Sequence, residues 1–188
     1  MTARLPRSSR SSRGFTLVEL MAVVAITSIL ALAGVSLFTK NLAASKGTEA
    51  VSVILAIRSA EEAYSAENHG YLNVSGAGKD AAAPWYPNTA PNSTRYSWTF
   101  KTHVDFANWQ RLAPVVDRPV RFGYLVYAGA AGSNVPDLSL ASPPTFPKPM
   151  TDNWYVIQAR GDVNANTVYS QYAASSTSSE VVVENEGE

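Results

Sequence analysis

Glu19 is the residue whose chemistry most needs explaining. It is the only charge between Phe15 and Phe38, in the run FTLVELMAVVAITSILALAGVSLF. A carboxylate inside a hydrocarbon layer costs a few kcal/mol on insertion scales, so it needs a function and a partner there. Further on, Asp162, Asn164 and Asn166 place three oxygen side chains at i, i+2 and i+4, the opening spacing of a calcium loop. One of the three is a carboxylate, the usual glycine is missing, and Ala173 stands where the closing glutamate belongs. The turn therefore reads first as an Asx-rich hairpin and only second as a metal site. His69 and His103 have no carboxylate or second histidine at ligand spacing, and neither a G-x-S-x-G elbow nor a Gly-rich phosphate loop occurs. No catalytic residues and no cofactor are expected. Trp85, Trp98, Trp109 and Trp154 could stack sugars or single-stranded DNA, but four tryptophans in a small domain read more simply as core. Arg95, Lys101, Arg111, Arg118 and Arg121 are interleaved with Asp105 and Asp117, which reads as a solvated face with strand-edge protection.

Bulk charge narrows the classes. With 15 Lys plus Arg against 15 Asp plus Glu in 188 residues, no nucleic-acid partner is expected. The absence of cysteine removes disulfides, thiolate metal sites and cysteine nucleophiles. The length fits one domain, or a small domain with an anchor. Charge is unevenly placed: Arg4, Arg7, Arg10 and Arg13 come first, and every acidic residue follows Gly14. As a helix, 15–38 would run about 36 Å, enough for the roughly 30 Å hydrocarbon core of a bilayer. The arginines then hold the N-terminus in the cytoplasm and send the rest outside. Three readings compete for this segment: a plain anchor, a secretory signal cut at Ala31-Leu32-Ala33, and a segment that uses Glu19. Apolarity continuing through Val35, Leu37 and Phe38 speaks against the signal. The plain anchor leaves Glu19 to snorkel to the interface.

The stretch Arg13-Gly14-Phe15-Thr16-Leu17-Val18-Glu19-Leu20, after a basic leader and before an apolar run, resembles the leader-peptide junction of type IV pilins and pseudopilins. The resemblance implies a structural protein, not an enzyme, cut between Gly14 and Phe15 by a membrane-embedded prepilin peptidase and N-methylated on Phe15. It implies an inner-membrane precursor with a periplasmic head, extracted into a helical filament and held to other pilins by the N-terminal helix. Glu19 then gains a partner, the Phe15 ammonium of a neighbouring subunit. A buried charge that is ruinous alone is tolerable when paired, and the pair would set the register of assembly. The implied fibre is a pilus for motility or adhesion, with a type II secretion or DNA-uptake pseudopilus as the alternative. From another class, a single-span anchored periplasmic binding domain competes. Ser36 stands where many major pilins carry a proline, which favours a minor component. Many pilins also close a C-terminal loop with a disulfide, which this chain cannot do.

The elements that would position these residues follow from periodicity. No proline occurs between Pro6 and Pro84, so a helix can run from about 15 to about 68. Ala50, Val53, Ile54, Ile57, Ala60 and Tyr64 fall at helical spacing, with Lys46, Glu49, Arg58, Glu62 and Glu67 elsewhere on the wheel. Asn68-His69-Gly70 supplies the stop, with Gly70 as the left-handed residue. Gly34, Ser36 and Gly47 are the points where bending would start. After an irregular connection over 71–91, strands are expected at 95–102, 121–127, 154–160 and 167–173. The Pro-rich stretch 135–149 is expected as an exposed loop, 161–166 as a turn, and 175–188 as a mobile acidic tail in which 181–183 can add an edge strand. The expected fold is α+β: a long N-terminal helix whose second half packs on an antiparallel sheet of about four strands. The divisions are a leader at 1–14, an assembly helix at 15–38, its amphipathic continuation at 39–69, and a β-rich head at 70–188. This arrangement matches the lollipop shape that the resemblance implies.

Overall fold

The computed structural model describes residues 15–76 and 85–187. Helix α1 spans Leu17–Asn68. The chain divides into a unit ending at Thr39 and a unit running from Lys40 onward.

In the first unit the large apolar side chains from Leu17 to Leu32 are all exposed. Its polar hydroxyls turn inward: Thr27 Oγ1 donates to the Val23 carbonyl at 2.8 Å, and Ser28 Oγ to the Val24 carbonyl at 2.7 Å. This stretch of helix therefore satisfies its own polar atoms and presents an apolar surface. Among the described residues no helix is long and apolar enough to cross a membrane. Side chains of the expected 15–38 span are described without a break only as far as Leu32.

The second unit contains helix α2 (Phe106–Leu112) and strands β1 (Gly123–Gly129), β2 (Trp154–Gly161), β3 (Ser170–Ser175) and β4 (Ser178–Glu184). The strands lie in the order β1-β2-β3-β4, each antiparallel to the next. The α+β class expected from the sequence is the one found. Ala50, Val53, Ile54 and Ile57 of α1 pack on the inner face of the sheet, against Tyr124, Val126, Tyr155, Ile157, Tyr172 and Ala174. Alternation along β2 sends its odd-numbered residues to this face and its even-numbered ones to the other.

That other face is also covered. Trp85, Leu125, Tyr127, Trp154 and Val156 form a second core with Val135 and Met150, while Leu138 and Phe146 pack at its margin. The loop expected to be exposed is thus a layer over the sheet, although Pro143, Pro147 and Pro149 themselves face solvent. Its apolar residues are drawn down because the strands are apolar on both faces, and polar bonds hold it there. Ser139 N–H donates to Gln158 Oε1 at 2.9 Å, and Ala141 N–H to Glu184 at 2.8 Å.

Four expectations change. The stretch 95–102 forms no strand, only an isolated bridge from Tyr96 to Val120, because Ser97 and Thr99 bond to each other and to local backbone. The strand expected at 167–173 is β3 and begins at Ser170, since the preceding turn engages the amides of residues 166–168. The tail expected to be mobile is largely β4, held in a hairpin with β3, so the edge strand expected at 181–183 is present but begins earlier, at Ser178. The left-handed residue after α1 is His69, with φ 57°, and Gly70 has no such φ. Its amide closes on the Ser65 carbonyl at 2.9 Å, one residue before the expected stop.

Candidate functional site

Gly14 lies outside the described residues. Phe15 is 80% exposed and stands two residues ahead of α1. At the helix start, Glu19 N–H donates to Thr16 Oγ1 at 3.2 Å. In return, Glu19 Oε2 accepts Thr16 N–H at 3.3 Å and Thr16 Oγ1 at 3.2 Å. The Thr16 carbonyl accepts the first helical bond, from Leu20 at 3.2 Å. This is a reciprocal capping box, which satisfies donors that a helix N-terminus leaves open and puts a negative charge where the helix dipole favours one. Glu19 Oε1 has no hydrogen bond among the described residues. The role of Thr16 was overlooked in the sequence, although T-x-x-E before an apolar run is the capping-box pattern. The cap fixes the carboxylate beside Phe15 and the apolar surface beyond it.

The other candidates are structural. Asp162 is buried, and its two oxygens accept Asn166 N–H at 3.1 Å and Thr167 N–H at 3.0 Å. Asn164 Oδ1 accepts Asn166 N–H at 3.0 Å, and Asn166 Oδ1 accepts Val168 N–H at 2.8 Å. These are Asx turns, in which the side-chain oxygens are engaged by backbone. Among the described residues no group of three or more His, Cys, Asp or Glu could hold a metal ion. Lys46 Nζ donates to the Val163 carbonyl at 2.8 Å and ties this turn to α1.

His103 is buried with both ring nitrogens engaged: Nδ1 accepts Asp105 N–H at 3.1 Å, and Nε2 donates to the Trp85 carbonyl at 3.1 Å. His69 is exposed at the turn after α1. Trp85, Trp109 and Trp154 are buried core residues. Trp98 packs edge-on to Tyr86 and Trp109, with ring centroids 5.0 and 5.1 Å apart. Packed in this way, the four tryptophans form no stacking platform among the described residues. Arg95, Lys101, Arg111 and Arg118 are exposed, as a solvated face requires, whereas Arg121 is half-buried; Glu49 on α1 gathers Arg121 and Arg95. Glu49 Oε1 accepts Arg121 N–H at 2.6 Å, and Oε2 lies 3.3 Å from the Arg121 guanidinium and 3.4 Å from that of Arg95. Arg111, also exposed, lies over the Tyr64 ring at 5.5 Å.

Two further residues have roles that the sequence pattern does not disclose: Arg58, which it places on the outer face of the helix, and Glu61. Arg58 donates to the carbonyls of Ser178 at 3.0 Å and Ser179 at 3.1 Å, clasping the β3–β4 turn. Glu61 lies on the buried stripe of α1, four residues after Ile57, where an apolar residue would be expected.

Comparison with known proteins gives two matches. A family model described as the prokaryotic N-terminal methylation motif matches residues 9–35. The type IV major pilin protein PilA of Myxococcus xanthus is 35% identical over 132 residues, covering 70% of this chain and 44% of that protein. The chain thus spans less than half the length of the curated relative it matches. No solved structure matches.

Proposed function

We propose, from the premise that this chain belongs to the type IV pilin and pseudopilin family, that it is a subunit of a type IV pilus, assembled from the inner membrane into a helical filament for motility or adhesion. The family is one of structural subunits, not enzymes. On this reading prepilin peptidase cuts between Gly14 and Phe15, and Phe15 becomes N-methylated. Before extraction, the 15–38 segment anchors the subunit with its N-terminus in the cytoplasm and its head in the periplasm. In the fibre, the Phe15 ammonium of one subunit pairs with Glu19 of its neighbour.

The observation that carries the reading is the capped helix start inside the matched motif. Glu19 Oε2 is engaged by Thr16, so the carboxylate is pre-oriented, and Oε1 remains to accept a charge-assisted bond from an incoming ammonium. In an apolar bundle such a pair tolerates burial that a lone carboxylate does not. The apolar surface of 17–32, with its hydroxyls bonded back to the helix, suits both lipid and neighbouring helices. The name of the Myxococcus relative, a major pilin, favours a pilus over a secretion or DNA-uptake pseudopilus. It also weighs against the minor-component reading that Ser36 prompts.

Mass spectrometry of the mature N-terminus tests the reading. N-methyl-Phe15 is expected. A chain starting at Gly34 means a secretory signal, and an uncut leader means a plain anchor carrying a binding domain; either result overturns the proposal.

A further inference from the structure

The end of α1 holds a carboxyl group that the pilin reading does not use. Glu61 is 0% exposed. Its Oε2 accepts the Leu72 N–H at 2.9 Å, and its Oε1 is buried with no hydrogen-bond partner among the described residues. The residue therefore joins α1 to the segment 71–75, which returns along the head. That segment is held at two further places. Ser75 N–H donates to the Val126 carbonyl of β1 at 3.0 Å, and Asn108 of α2 donates to the Val74 carbonyl at 3.0 Å.

The surrounding charges do not favour an ionised Glu61. On α1 its neighbour Glu62 is a second carboxylate, which accepts the Tyr155 hydroxyl of β2 at 3.1 Å and the Tyr71 hydroxyl at 3.4 Å. Arg58, also on α1, directs its guanidinium to the carbonyls of Ser175, Ser178 and Ser179. Arg111 of α2 lies over Tyr64. A buried carboxylate with one bare oxygen and a like charge beside it is strongly disfavoured, whereas a protonated carboxyl keeps the bond from Leu72 and carries no charge.

We propose that Glu61 is a proton-operated latch: protonated, it keeps the 71–75 segment docked on α1, and loss of the proton releases that segment and uncovers the edge of β1 at Val126. Burial pushes the carboxyl up from 4.5 to about 7; the Leu72 amide opposes this and Glu62 adds to it. Because the folded value lies above the unfolded one, the stabilisation is fully present below about pH 4.5 and is lost as pH rises through about 7. The folding constant falls by up to about 300-fold across that window.

The test uses the full chain in detergent micelles, as wild type and Glu61→Gln, from about pH 5 to about pH 9. The amide variant keeps an acceptor for Leu72 and cannot ionise. Amide exchange at 72–75, corrected for the intrinsic effect of pH, is expected to quicken more than about tenfold through neutrality in wild type and to stay flat in the variant. A wild-type profile that Glu61→Gln leaves unchanged overturns the latch. If the variant does not fold, carbon NMR of the Glu61 carboxyl in wild type decides. Titration near pH 7 supports the latch, and titration in the ordinary carboxylate range overturns it.

Discussion

At the scale of single residues, Glu19 carries two roles that a substitution can separate. It caps α1 through Thr16, and on the proposed reading it also neutralises a neighbour's ammonium. Glutamine serves at the same position of a capping box but has no charge. Glu19→Gln is therefore expected to keep the helix start and normal processing yet fail to enter filaments, and Glu19→Ala is expected to fail likewise. Counting sheared filaments by immunoblot checks this, and full assembly of the glutamine variant would show that the cap alone matters. Glu19 was legible in the sequence because a lone charge in an apolar run stands out. Glu61 was not: an acid among polar neighbours on a helix reads as surface, and only the returning 71–75 segment makes its environment dry. The Asx turn at 162–166 was legible because its geometry is local.

At the scale of elements, Gly47 changes meaning. Read in the sequence as a point of weakness in α1, it is a notch that lets the helix approach the sheet. A Cβ added there would lie 2.5 Å from the Tyr172 hydroxyl. Gly47→Ala is expected to destabilise the head by about 1 to 3 kcal/mol, although alanine is the better helix former. Chemical denaturation followed by tyrosine fluorescence checks the sign, and a more stable variant would refute the notch. β1 and β2 were legible because each carries a run rich in aromatic and β-branched residues, Tyr124–Tyr127 and Trp154–Ile157, flanked by turn-forming segments. The stretch 95–102 alternates equally well, but its hydroxyls compete for the backbone and its Trp98 joins an aromatic cluster beside α2. β4 was obscured by its serines, since its pairing rests on β3 and on the Arg58 clasp rather than on its own composition.

At the scale of the whole molecule, the sequence conveyed the layering on only one side of the sheet. The inner layer is periodic, so it could be read. The outer cover is a proline-rich connection whose apolar residues follow no period, and it is recognised only when both faces of the strands prove to be buried. Molecular behaviour in solution should be dominated by the exposed apolar side chains of 17–32. The full chain is expected to elute as large aggregates in plain buffer and as a single small species in detergent. Size-exclusion chromatography decides, and a monomer without detergent would contradict the exposed surface. The polar ties between α1 and the head have a mechanical consequence. Lys46 holds the 162–166 turn, Glu49 holds Arg121, Arg58 holds the β3–β4 turn, and Glu62 holds Tyr155. Each anchors a different part of the head, so a pull along this part of the helix loads them together in shear rather than peeling them one after another. A subunit fastened in this way resists tension with bonds that are individually weak.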